Sequence, residues 1–363
     1  MRQFRIFPLL LLFLPFSWSS ALIAKLNLSS LKAAAAYSAA RHGFSFLVIQ
    51  DNRVIFENYP NGRFPNAVNS IYSGTKGFWC VAAAAAAQDG ILTLDEQVKN
   101  TVTEWIAVSG KEEIQVRNLL SFTAGIEPVF SLHGKSIPDR NGYSIRLPAV
   151  CLRGGSFMYG PSQLQVFGEL LRRKLLSRHL TPQEYLARRV LQPLGIRNVD
   201  FREDTKSHPL LASGFRLTAK QWARLGILIL NKGKYGRRQV IRADFLDECF
   251  RGTRINPMFG MGFWLNQAAS DPRAREVDVE KMLELPWQRQ YWRGACLCKD
   301  APTDMIAAIG SGYQRMFLVP SQHLIIIRQG KDDNRFCDAT FLRLIFPATM
   351  PYAKSGRMVS DKN

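Results

Sequence analysis

Apolar and polar positions alternate with different rhythms along this chain, and each rhythm predicts a different element. Ser30 to Ala40 is Ala-rich and helix-prone. Two β-rich runs, Phe44 to Ile49 and Val54 to Phe56, flank the turn pair Asp51-Asn52 and predict a β-hairpin. From Thr75 to Gln88 the residues are mainly Ala, Phe, Trp and Val, with Gly77 the only breaker and Gly90 a stop signal. That pattern predicts a buried helix whose small side chains let a neighbouring element approach closely. Between about Leu92 and Met282 the apolar spacing is mostly helical, as in Leu164, Phe167, Leu170 and Leu171, or Trp222, Leu225, Leu228 and Ile229. Towards the C-terminus short apolar runs return at Met305 to Ile309, Met316 to Val319 and Leu324 to Ile327, divided by Gly310-Ser311-Gly312 and Pro320-Ser321. A helix-like segment, Phe341 to Phe346, closes the pattern. Strands at both ends with helices between them predict an α+β fold: one antiparallel sheet built from the N- and C-terminal segments, flanked by helices, with a mainly helical region inserted.

The first residues stand apart from this pattern. Arg2 and Arg5 precede an apolar run from Ile6 to Phe16, and small residues follow up to Ala21. This is the three-part layout of a secretory signal peptide over residues 1–21; the apolar run falls short of the ~20 residues that span a bilayer. Export to the periplasm or the extracellular space is therefore expected, with a retained anchor as the alternative. Six cysteines, Cys80, Cys151, Cys249, Cys296, Cys298 and Cys337, would then meet an oxidising compartment, where some could pair. Cys296-Leu297-Cys298 offers only two thiols and no neighbouring His, too few for a zinc site.

Lysine and arginine number 48 against 29 aspartate and glutamate, a formal charge of +19. A field of that sign attracts an anionic envelope or membrane surface. Nucleic acid is not expected as a partner, because no recognisable binding module accompanies the charge.

Candidate chemistry begins at Ser73-Gly74-Thr75-Lys76, an S-x-x-K tetrad at the start of the apolar helix. Residues three apart share a helix face, so the Lys76 amine can reach the Ser73 hydroxyl, and the helix N-terminus favours negative charge developing there. An apolar setting favours the neutral amine, which can then accept a proton. Ser29-Ser30-Leu31-Lys32 has the same spacing but follows closely on the leader, with no buried element before it. Other hydrolytic arrangements fare worse. G-x-S-x-G and H-E-x-x-H are absent, and His42, His133, His179, His208 and His323 form no triad pattern, each reading as a surface or internally satisfied side chain. No metal or organic cofactor is expected.

With these residues in view, the sequence resembles the serine β-lactamase and penicillin-binding protein family, in its class C and esterase-like branch. Ile71 to Gly77 carries the tetrad, and Gly90-Ile91-Leu92-Thr93-Leu94-Asp95-Glu96-Gln97-Val98 is similar to the family's G-x-L-x-L-D-D-x-V stretch. Ile114 to Ile126 is similar to I-T-V-R-H-L-L-x-H-T-S-G-L, and Phe259-Gly260-Met261-Gly262-Phe263-Trp264 to Y-G-x-G-W. The resemblance implies a hydrolase domain over 25–363, with a sheet region of about 25–90 plus 300–363 and a helical region of about 91–299.

The family's Tyr-x-Asn motif is matched by Tyr159-Gly160-Pro161, so the tyrosine carries over and the asparagine does not. By resemblance Tyr159 shares proton transfer with Lys76. The third motif, a basic residue or His, then Thr or Gly, then Gly, falls on Ala308-Ile309-Gly310, so the basic residue is lost. The resemblance further implies that the Ser311 and Ser73 amides form an oxyanion hole, with Gly310 and Gly312 letting substrate lie close to the strand. The expected function is an exported serine acyl hydrolase, an esterase or amidase acting on small molecules without a clamped carboxylate. A β-lactamase or D,D-peptidase is the alternative, and a non-catalytic binding protein that keeps the fold is the rival from another class.

Overall fold

The computed structural model describes residues 26–197 and 199–347; the leader reading, residues 1–21, lies outside them. Six strands form the main sheet: β1 (Gly43–Gln50), β2 (Arg53–Asn58), β3 (Trp264–Leu265), β4 (Ile306–Gly310), β5 (Gln314–Val319) and β6 (Leu324–Gly330). Their order is β2-β1-β6-β5-β4-β3, and every neighbouring pair is antiparallel. The predicted hairpin is present, and its turn residues Asp51 and Asn52 take φ of 50° and 62°. Two successive left-handed residues are what a tight hairpin turn demands, and Asp and Asn tolerate them. The chain ends join where β1 pairs with β6, from Gly43 opposite Gly330 to Gln50 opposite Leu324.

The middle of the chain is helical and looped, as its spacing predicts, but it also lends the sheet one edge. In β3, Trp264 and Leu265 pair with Ala307 and Ile306 of β4. Two residues are too short a run for alternation to reveal as a strand. Another small ladder, Asn69–Ser70 with Arg216–Leu217, ties the segment before the tetrad to the middle of the chain.

Helices cover both faces of the sheet: α1 (Leu28–Ala39), α2 (Thr75–Gln88), α3 (Ser162–Leu175), α4 (Ala219–Leu230), α5 (Val279–Glu284) and α6 (Asp338–Ile345) are those that matter for the site. Residues 324–330 of β6 are buried without alternation, the signature of a strand sandwiched between layers. On one face α1 and α6 pack together, and Phe341 of α6 meets Phe46 of β1 edge-on at 5.4 Å. On the other, α4 sits so close that a Cβ on Gly226 would lie 2.8 Å from Leu318 of β5. Beyond α4 lies α2, whose start packs on Trp222 and Leu225.

Helix α2 spans the residues its composition predicts, and Gly90 takes φ +67°, the left-handed conformation that ends a helix. Ala82, Ala83, Ala84, Ala85 and Ala86 are all fully buried, so this helix is enclosed on every side by neighbours that its methyl groups admit. No helix among the described residues is long and apolar enough to cross a membrane. All six cysteines are free thiols, and Cys80, Cys249, Cys296 and Cys298 are buried.

Because α2 is packed all round, enlarging it should strain every neighbour. Ala84→Leu is expected to lower the unfolding free energy by about 1–3 kcal/mol. Ala33→Leu, on the exposed side of α1, should stay within about 0.5 kcal/mol. Urea midpoints of the two variants measure the difference.

Candidate active site

Ser73 sits in a tight turn, Tyr72–Gly74, immediately before α2. Tyr72 is held at φ +43°, a conformation costly for a bulky side chain and maintained by what surrounds it. The Ile71 amide donates to the Phe215 carbonyl, and Thr75 Oγ1 accepts from the amides of Gly214 and Phe215, each at 3.1 Å. The segment from Ala212 to Phe215 is thereby fastened to the first turn of α2.

That fastening gives Lys76 its second partner. Its Nζ donates to Ser73 Oγ at 2.7 Å and to the Ala212 carbonyl at 2.9 Å, with the side chain only 1% exposed. No carboxylate pairs with it among the described ion pairs. Burial without a counter-charge pushes the amine down to about 7, with the neighbouring Cys80 thiol opposing slightly. Near neutrality a large share of Lys76 is therefore free base, within reach of the Ser73 proton.

Tyr159 arrives from the loop ahead of α3, and the Lys76 ammonium position lies 4.6 Å from its ring centre. The ring is wedged against Phe122 at 5.0 Å and Trp264 at 5.9 Å, which fixes its direction. Burial raises the phenol above its ordinary range, and the Ser73 hydroxyl acts the other way. Tyr159 is thus a protonated phenol able to give a hydrogen bond at the mouth of the Ser73–Lys76 pair. Pro161 caps the start of α3 and contributes no side-chain hydrogen bond. Ala212 supplies a backbone carbonyl as the remaining partner of Lys76.

From the opposite side comes the turn after β4. Gly310 is pressed against the Ser73 turn: a Cβ there would lie 2.1 Å from the Ile71 carbonyl oxygen and 3.2 Å from the Gly74 nitrogen. Its bareness serves the approach of strand to turn, which sets Ser311 in the same cleft as Ser73; Gly312, at φ +70°, faces that cleft too. Ala308 is wholly buried, leaving the strand without a charge at that register.

Ser73, Tyr159, Ser311 and Gly312 line one cleft of about 930 Å³, with Lys76 beneath its floor. Arg63, Arg216 and Lys331 lie on its walls, as do Glu280 and Glu284. His133 is internally satisfied, as expected, with Nδ1 2.7 Å from Ser213 Oγ, but it also lines the same cleft, which its sequence context gives no sign of. Burial, helped by the nearby Lys76 charge, lowers this imidazole to about 3, so it is neutral across the physiological range. The sequence reading misses Thr75, Ala212 and Ser213. A backbone carbonyl and a hydroxyl turned to the backbone leave no motif in sequence.

The sequence matches the family described as Beta-lactamase over residues 31–327. Among curated proteins none matches. Similar solved structures include a penicillin-binding protein homologue from Caulobacter crescentus, 15% identical, covering 87% of this chain and 95% of its own, with a TM-score of 0.62. A family VIII carboxylesterase is 18% identical over 87% of this chain and 95% of its own, with a TM-score of 0.62. EstCE1, described as a hydrolase with promiscuous acyltransferase activity, is 16% identical over 88% of this chain and 98% of its own, at 0.64. At such identities the likeness is one of fold.

The free-base amine beside Ser73 has a direct kinetic signature. Labelling of Ser73 by a fluorophosphonate should accelerate as pH rises through about 7 and level off above it, since only deprotonated Lys76 accepts the proton. Stopped labelling between pH 5 and 9, read by intact mass, measures the profile. Lys76→Met should be slow and lack that rise; a rise of equal size in this variant would assign it to another group.

Proposed function

This chain belongs to the Beta-lactamase family, a family of serine hydrolases that includes esterases and penicillin-binding protein homologues, and we propose that it is an exported esterase or amidase working through a Ser73 acyl-enzyme. The single observation that carries the reading is the 2.7 Å contact between Lys76 Nζ and Ser73 Oγ, buried without a counter-ion. The reaction divides into two steps. Ser73 Oγ attacks the ester or amide carbonyl as its proton passes to Lys76. The tetrahedral oxyanion is held by the Ser73 and Ser311 amides. Collapse breaks the bond to the leaving group, which takes a proton from the Lys76 and Tyr159 pair. Water, deprotonated by the same pair, then attacks the acyl group and returns Ser73.

Substrate preference follows from two features. Ala308 removes the charge with which the resembling family clamps a carboxylate, which supports neutral acyl groups. Arg63, Arg216 and Lys331 on the cleft walls support a second reading, a β-lactam or D-Ala substrate whose carboxylate is met elsewhere in the cleft. Export rests on the leader composition, with Arg2 and Arg5 ahead of the apolar run. The formal charge of +19 supports attraction to an anionic envelope or membrane surface.

Turnover of short-chain p-nitrophenyl esters, nitrocefin and a D-Ala-D-Ala peptide by the same preparation separates the readings. The expected result is ester hydrolysis with the highest kcat/KM, with Ser73→Ala reducing kcat by about 10³-fold or more. Nitrocefin or peptide turnover above that of the esters would transfer the assignment to the second reading. Turnover unchanged in Ser73→Ala would end the serine mechanism.

A further inference from the structure

The turn that carries Ser311 is held by a group that neither its motif nor its sequence position announces. Gly312 and Tyr313 take φ of +70° and +57°, and two consecutive left-handed residues turn their amides towards a common point. Such a concavity of N–H groups is a natural seat for an anion. The carboxylate of Glu280, from the first turn of α5, occupies it: Oε2 accepts from the Gly312 amide at 3.2 Å and Oε1 from the Tyr313 amide at 2.7 Å. Glu280 also lines the cleft beside Ser73 and Tyr159.

Glu280 is itself tied down. Arg315, with no exposed side-chain surface, places Nη1 3.0 Å from Glu280 Oε1 and Nε 2.7 Å from Asp338 Oδ1 at the start of α6. The same Nη1 donates to the Gly310 carbonyl at 3.0 Å. The residue before Ser311 is therefore held through its carbonyl by Arg315, and the two residues after it through their amides by Glu280. Ser311 is suspended between these anchors, and the peptide planes on either side of it are set by them. Fixed peptide orientation is what an oxyanion donor needs, because its benefit depends on not having to reorganise as charge develops. Helix α5 is separately fixed at its start, where Asp278 accepts from the Glu280 and Lys281 amides.

We propose that Glu280 is a positioning residue for the oxyanion hole: by accepting from Gly312 and Tyr313, and by pairing with the buried Arg315, it aims the Ser311 N–H at the carbonyl oxygen of the substrate. This rests on the acyl-enzyme reading above. It makes α5, a short helix of the inserted region, part of the catalytic geometry. Glu280 touches no reacting atom, so its effect belongs to the transition state and not to substrate affinity.

The test compares wild type, Glu280→Gln and Glu280→Ala on a p-nitrophenyl ester, together with fluorophosphonate labelling of Ser73 and the affinity of a boronic acid that forms a tetrahedral adduct. Glu280→Ala should lose about 10- to 100-fold in kcat, below the 10²–10³ that follows removal of an oxyanion donor itself. KM should stay within about threefold, because uniform binding is untouched. Labelling and boronic acid affinity should fall in step with kcat, since both place a developing or tetrahedral oxygen against the Ser311 amide. Glu280→Gln keeps one accepting oxygen and should recover part of the loss, remaining about 3- to 10-fold below wild type by the same reasoning. A rise in KM with kcat unchanged would make Glu280 a substrate-binding group and overturn the proposal, as would a change in melting temperature alone. If Glu280→Ala does not fold, an unchanged kcat in Glu280→Gln overturns it. Absence of both turnover and Ser73 adduct in the wild type overturns the acyl-enzyme reading and this proposal together. Wild-type turnover with no effect of either variant overturns this proposal alone.

Discussion

An amine buried with no opposite charge beside it is the constraint on which the rest of the molecule depends. Lys76 is kept between a serine hydroxyl and a backbone carbonyl, and water is kept away by the packing of α2. Burial of an ammonium is unfavourable, and the protein resolves the conflict by lowering the affinity of the amine for its proton. Other features then follow as requirements. The alanines of α2 allow its neighbours to close around it. Thr75 anchors the segment whose carbonyl receives the amine, and bare Gly310 lets the sheet approach the strained turn at Tyr72 and Ser73.

Much of this was legible in the order of residues, because it is written locally. The span of α2 follows from a continuous apolar composition and a glycine stop, and the β1–β2 turn from Asp51-Asn52, whose side chains tolerate left-handed backbone. The last three strands of the sheet were likewise visible as short apolar runs divided by glycine or proline. What was hidden depends on distance along the chain. Ala212 meets Lys76 across more than a hundred residues, and Glu280 reaches the Ser311 turn from another helix. Neither residue type announces such a partner. His133 was set aside because it stands in no triad; only folding brings it to the wall of the cleft.

The departures from the resembling family are local in sequence but distributed in effect. With Pro161 in place of an amide, the hydrogen bonds of Lys76 are completed by Ser73 and the Ala212 carbonyl alone. With alanine at 308, charge in the cleft comes from side chains on surrounding segments, Arg63, Arg216 and Lys331 on one part of the wall and Glu280 and Glu284 on another. Ser73, Tyr159 and Ser311 thus sit on turns and a loop held by neighbouring elements, whereas the charged groups of the cleft come from loops at Arg63 and Lys331, a short ladder at Arg216 and helix α5 at Glu280 and Glu284.

The join between the two ends of the chain has a consequence for how the protein comes into being. Strand β1 lies inside the sheet, with β2 on one side and β6 on the other. A hairpin made early in synthesis therefore carries one open ladder of backbone groups until Leu324–Gly330 have left the ribosome. Closing so long a loop is slow compared with forming a local turn. Every residue between Asn58 and Leu324 is made while that open margin stays uncovered, so the sheet that frames the cleft closes only after the inserted helical region has been synthesised.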